Sequence, residues 1–284
     1  MLRSFGSFAA AVLAMLHAPT AHSQAMSAKD QVSIQRNLNR GQLLYAFDQA
    51  AWHATDKMLE SARAESRIEE LRAGLRGWVV RQVDQGILEV IFFDANEASP
   101  NRLYTARMSN GGTSLVSGEF AAKGEAITDS ETLRLIRAQQ AALKAIDGQA
   151  ILRCSKAPYN IAVLPPDSPD QPTSVYLLSP QDDLDHVPFG GHLRILVSSA
   201  NKAEDIHSFT KSCLSLPTKH ARDAPEAVVA TQLLDPLPTE VDVFTMFAGG
   251  LPLYIFTPDE RIWRIDAAGG KARVILVPND KKAK

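Results

Sequence analysis

Two histidines and an arginine carry most of the chemistry this chain could perform. His192 and Arg194 are two apart, and His207 follows thirteen residues after Arg194. Side chains alternate across a strand, so over residues 192–197 His192 and Arg194 share the face opposite Leu193, Ile195 and Val197. A turn over residues 198–202 returns a partner strand, residues 205–210, that puts His207 and Phe209 on the same face. Two imidazoles plus a carboxylate from Asp182, Asp183 or Asp185, which lie just upstream with His186, would hold zinc with one position open for water, the plan of a hydrolase. Without metal, Arg194 would grip a carboxylate or phosphate between the imidazoles. The plain alternative is the solvated face of a half-buried hairpin, as antiparallel sheets commonly show. The trio His192, Arg194 and His207 is therefore the candidate ligand site. A hydrolase, with or without zinc, is the alternative reading, and no catalytic residue or cofactor is assigned.

Other constellations offer less. In residues 42–60, Asp48, Trp52, Thr55 and Asp56 lie along one side of a helix, and Gln49, His53 and Asp56 form a row at three- and four-residue spacing. The expectation is structural, with Trp52 in the core and its N–H bonded. Residues 238–244 (PTEVDVF) read as a strand with Glu240 and Asp242 on a solvent face. The chain contains no GxSxG elbow, no GxxxxGK[ST] phosphate loop and no HExxH.

The elements that must position these residues form an α+β protein. Apolar residues Leu43, Leu44, Phe47, Ala51, Ala54 and Met58 mark one face of a helix over 42–60, opened by Gly41 and continued or restarted over 61–73. Period-two patterns follow: 78–83 with 87–93 across a Gly86 turn, and 102–108 with 113–116 across Asn110-Gly111-Gly112. Thr128 and Glu131 have the spacing of a capping box before a second helix that ends near Gly148. The C-terminal half reads as hairpins and a meander: 160–164 and 174–178 around a proline-rich loop (165–172), then four strands over 241–247, 252–256, 261–266 and 271–277. Two or three helices packed on antiparallel sheets is the expected class, with a helix-and-hairpin half (24–150), an antiparallel half (151–280) and a basic tail (281–284).

Residues 1–23 have the layout of a secretory signal peptide: Arg3, an apolar run over 5–16 too short to span a bilayer, and small residues Ala21 and Ser23 before Gln24. Removing 23 residues from 284 leaves 261, and Arg3 is the one charge lost, so the net charge of -2 becomes -3. Such a balance excludes the basic surplus of a nucleic-acid binder. Export places the chain in the periplasm or outside the cell, with no transmembrane anchor after cleavage. Cys154 and Cys213, the only two cysteines, then form a disulfide closing a loop of roughly 60 residues, worth about 4 kcal/mol.

The stretches DQAAWHATD (48–56), GWVV and VIFFD (77–94), YNIAVLPP (159–166), PFGGHLRI (188–195), FTKSC (209–213) and LLDPLPTE (233–240) together resemble a group of uncharacterised exported proteobacterial proteins. The resemblance implies export and one integrated architecture, and it transfers no activity or site residue. A looser similarity to zinc-dependent JAMM-type isopeptidases lacks their His-x-His pair, since Glu240 is followed by Val241-Asp242-Val243-Phe244. The sequence expectation is thus a non-catalytic binding or accessory component of the cell envelope, with an envelope partner or a small ligand.

Overall fold

The computed structural model describes residues 26–278, so the expected signal peptide (1–23) and basic tail (281–284) lie outside the described residues. Helix α1 (Ala28–Ala64) is capped by Ser27, whose hydroxyl accepts from the Asp30 N–H at 3.0 Å, and it begins well before Gly41. Gly41 lies within the helix and is buried: a Cβ there would sit 2.5 Å from the Glu240 carbonyl oxygen and from Val243 Cβ. Glycine thus permits close helix crossing rather than opening the helix. After a break at Ser66 (φ 58°) the chain restarts as α2 (Ile68–Gly74).

Strands β1 (Leu75–Asp84), β2 (Ile87–Asp94), β3 (Arg102–Ser109) and β4 (Ser114–Phe120) form an antiparallel sheet in sequence order. Helix α3 (Ser130–Ile146) follows, but its cap is Asp129, which accepts from the Thr132 N–H at 2.8 Å; the helix begins one residue later than the Thr128 box requires. A second antiparallel sheet has the order β5 (Asn160–Leu164), β6 (Thr173–Leu178), β8 (Leu193–Val197), β9 (Ala203–Ser208), while the short β7 (His186–Pro188) and β10 (Ser215–Pro217) pair with each other.

The last unit corrects the expected meander. Residues 240–249 form helix α4 (Glu240–Gly249), the crossover between β11 (Val228–Thr231) and β12 (Leu253–Phe256), which pair in parallel; β13 (Ile262–Ala268) and β14 (Lys271–Val277) complete a mixed sheet. Thr239 and Asp242 form a capping box, and a capped turn outweighs the short Val241/Val243 alternation that suggested a strand. The fold is α+β, with four helices among the described residues.

Strands β2 and β6 are buried on both faces, which explains their continuous apolar runs. Val90, Phe92, Tyr176 and Leu178 pack with Leu44, Phe47 and Met58 of α1. Ile91, Phe93, Val175 and Leu177 pack with Leu135 and Ile136 of α3. A third cluster joins Val243 and Met246 of α4 to Leu253, Ile255 and Ile265. Cys154 and Cys213 are disulfide-bonded, with Cα atoms 5.3 Å apart. Gly191 (φ 78°) passes so near that a Cβ would lie 2.8 Å from the Cys154 sulfur, which fixes the approach to His192. Among the described residues no helix is long and apolar enough to cross a membrane.

Candidate functional site

Sheet register builds the centre of the site. Arg194 on β8 is flanked by Tyr176 on β6 and by His207 on β9, so the three stand in one row across the sheet. The N-terminus of α4 lowers Glu240 onto this row. One carboxylate oxygen, Oε1, accepts from the Tyr176 hydroxyl at 2.8 Å and from Arg194 Nη1 at 2.7 Å. Glu240 is 2% exposed, so the predicted solvent face of Glu240 and Asp242 is instead interior. From α1, Arg40 Nη2 donates to the Tyr176 hydroxyl at 3.3 Å. At the other end His207 Nε2 meets Asp235 Oδ2 at 3.1 Å, and Gln232 donates to the same oxygen at 3.2 Å.

Electrostatics follow from this arrangement. Burial raises the Glu240 carboxyl, yet Arg194, the helix N-terminus and Tyr176 outweigh it and hold the group below its ordinary value. Burial, reinforced by the neighbouring carboxylate, lifts the Tyr176 phenol well above its usual range. The hydrogen bond to Asp235 raises His207. At neutral pH Glu240 is therefore ionised and Tyr176 keeps its proton. Asp242, deeply buried, is pushed up to about 7 despite accepting from the Thr239 N–H (2.7 Å) and hydroxyl (2.9 Å).

Of the three residues singled out in sequence, Arg194 and His207 do stand together. His192 does not share the open face expected of it. It is fully buried; Nδ1 accepts from the Ser179 N–H at 3.1 Å, so Nε2 carries the proton and donates to the Pro188 carbonyl at 3.0 Å. Burial pushes this imidazole down to about 4, so it is neutral. With both nitrogens engaged it has no lone pair for zinc. His186 pairs with Asp183 at 3.2 Å and Asp182 accepts from Ser155 at 3.0 Å, so these residues do not fold over Arg194. Among the described residues, no group of three or more His, Cys, Asp or Glu is placed to hold a metal ion. On α1, Trp52 is 52% exposed and stacks on His53 at 5.0 Å, against the expectation of a core residue. Asp48, half-buried on the same helix, is raised to about 6 by burial.

Arg40 also reaches a surface feature that sequence reasoning missed. Two grooves flank α1 and share Gln35 and Asn39 as their common ridge. The larger, about 570 Å³, runs between α1 residues Leu38, Gln42 and Ala46 and the hairpin tips at Gly86, Gly111 and Lys271. The smaller, about 410 Å³, is lined by Val32, Arg36, Arg40 and Asp167. Both volumes fall in the range of small-molecule sites. The available signal was Gln35, Arg36, Asn39, Arg40 and Gln42, a polar run now known to be helical. No family of proteins matches the chain, and no curated protein does.

Proposed function

We propose that this chain is an exported, non-catalytic binding or accessory protein of the cell envelope, periplasmic in a Gram-negative host, and that it takes its ligand along α1. The observation that carries the reading is the trough itself: a larger groove walled by amides and aliphatic side chains and a smaller one carrying the guanidinium groups of Arg36 and Arg40, with no thiol or histidine in either wall. The strongest charges nearby are directed at each other, since Glu240 already accepts from both Arg194 and Tyr176. A disulfide between the two cysteines accords with an oxidising compartment.

Native mass spectrometry on protein secreted through its own leader tests this. The expected polypeptide lacks residues 1–23 and keeps its disulfide. After incubation with a small-molecule extract of the envelope it carries an adduct that is released with unchanged mass. Ala46→Arg, which fills the larger groove, abolishes the adduct. Retention of the leader refutes export. Conversion of the adduct to a product in a His207-dependent manner refutes the non-catalytic reading and restores the hydrolase.

A further inference from the structure

Within the smaller groove, Arg36 and Arg40 stand one helical turn apart on α1 and face a single carboxylate, that of Asp167. The contacts are long. Arg36 Nη2 lies 3.7 Å and Arg40 Nη1 3.5 Å from the Asp167 oxygens, well beyond the 2.7–2.9 Å of a charge-assisted hydrogen bond. Other arginines of this protein do reach that distance, as Arg194 does to Glu240 at 2.7 Å and Arg81 to Glu89 at 2.7 Å. Arg40 is mostly enclosed, with 12% of its side chain exposed, and its one hydrogen bond goes to the Tyr176 hydroxyl. Burial opposes its charge, but Tyr176, Glu240 and Asp167 together outweigh that cost, and its guanidinium nitrogens without a hydrogen bond are not sealed from solvent but border the groove.

Asp167 reaches this position from the proline-rich loop. Arg134 holds the far half of that loop, donating to the carbonyls of Pro169 at 3.0 Å and Gln171 at 2.7 Å and to the Thr173 hydroxyl at 3.2 Å. Asp167 itself has more than half of its side chain exposed and takes no part in those bonds.

We infer that the Arg36/Arg40 pair is the binding site for an anionic group, a carboxylate or a phosphate, on the ligand of the α1 trough, and that Asp167 is an internal stand-in which the ligand replaces. Two forked guanidinium groups suit a carboxylate or phosphate, and the groove leaves room for the rest of such a molecule past Gln35 and Asn39 toward the larger groove. This deepens the binding reading of the previous subsection and rests on it for the body of the ligand. The anion subsite is tested separately.

The test follows the arginine Nε–Hε NMR signals of Arg36 and Arg40 in secreted protein during titration with inorganic phosphate and, separately, with succinate at constant ionic strength. Saturable shifts at both arginines are expected, with phosphate alone, succinate alone, or both identifying the anion source. Asp167→Asn removes the competitor and is expected to tighten binding about two- to fivefold, an effect of the size set by an exposed ion pair. Tighter binding cannot arise from misfolding. Arg36→Gln, at an exposed position, is expected to weaken binding about tenfold. Absence of saturable shifts in both the parent and Asp167→Asn, or equal affinities in the parent, Asp167→Asn and Arg36→Gln, overturns the assignment. An adduct in the larger groove that is lost in Ala46→Arg but unchanged in Arg36→Gln also overturns it, while leaving the binding reading in place.

Discussion

Replacing Arg194 by methionine keeps the stem of the side chain and removes the cation that Glu240 faces. Glu240 is 2% exposed and Arg194 is 25% exposed, so the pair is mostly shielded from solvent. Removing one member of such a pair leaves a buried carboxylate with less compensation, a change that typically costs 3–5 kcal/mol. The Tyr176 hydroxyl remains 2.8 Å from Glu240, and α4 still presents its N-terminus, which places the expected loss at the lower end, about 3 kcal/mol. For a chain of this size that lowers the melting temperature by about 6–12 °C. The loss also depends on pH. In the parent, Glu240 titrates below its unfolded value, so its contribution is complete above about pH 4.3 and is lost as pH falls through the folded value. In the variant, burial without Arg194 moves the group above that value, and the variant regains stability as acid neutralises it. The gap between the two proteins should therefore be widest at pH 7.5 and narrower by at least about 1 kcal/mol at pH 4.5. Urea unfolding followed by tryptophan fluorescence measures both. A gap under about 1 kcal/mol at pH 7.5, the size of an exposed pair, or a gap equal at the two pH values, would refute the reasoning.

Three further outcomes are expected. His192 is neutral with its titration at about 4, so stability is complete above about pH 6.5 and declines by about 3 kcal/mol as pH falls toward 4; His192→Gln should flatten that part of a stability–pH profile, and an unchanged slope would contradict the burial argument. Gly41→Ala places a methyl 2.5 Å from the Glu240 carbonyl oxygen and Val243 Cβ, and thermal melting should show a loss of about 1–3 kcal/mol, whereas a gain from better helix propensity would show that α1 and α4 separate freely. Reducing the Cys154–Cys213 bond, or replacing both cysteines by serine, should cost about 4 kcal/mol in urea unfolding for a closed loop of 59 residues' separation. A midpoint unchanged by reductant would count against that loop-entropy value.

Legibility in the sequence followed the range of the interactions concerned. The β1–β2 and β5–β6 hairpins and the disulfide were legible because local turn chemistry or simple counting determines them. Helix α4 was not. Val241 and Val243 alternate as in a strand, and the decisive spacing, Thr239 to Asp242, was present but outweighed by that pattern. The start of α1 was obscured because Gly41 is an unfavourable residue in an isolated helix and becomes the favourable one only when Val243 crosses it. For the site, alternation correctly brought Arg194 and His207 to one face. It could not supply Glu240, which comes from a distant helix, or the burial of His192, which depends on Ser179 and Pro188. Trp52 shows the converse: an aromatic residue on a helix whose periodicity is plain in the sequence is nevertheless 52% exposed among the described residues.

Helix α1 has a consequence for how the protein is made. Its partners include Val243, Phe244 and Phe247, and Asp30 is bonded to Arg261 at 2.8 Å, so contacts of the first helix close only when residues near the other end of the chain exist. A polypeptide emerging N-terminus first displays Leu44, Phe47 and Met58 long before α4 can cover that part of the molecule. Loop closure over such separations slows folding, so the interval between the appearance of α1 and the arrival of α4 is the time during which the nascent chain is most exposed to aggregation and proteolysis. Truncation ahead of residue 240 would prolong that interval indefinitely, and a chaperone acting on this protein would find its binding surface on the apolar side of α1.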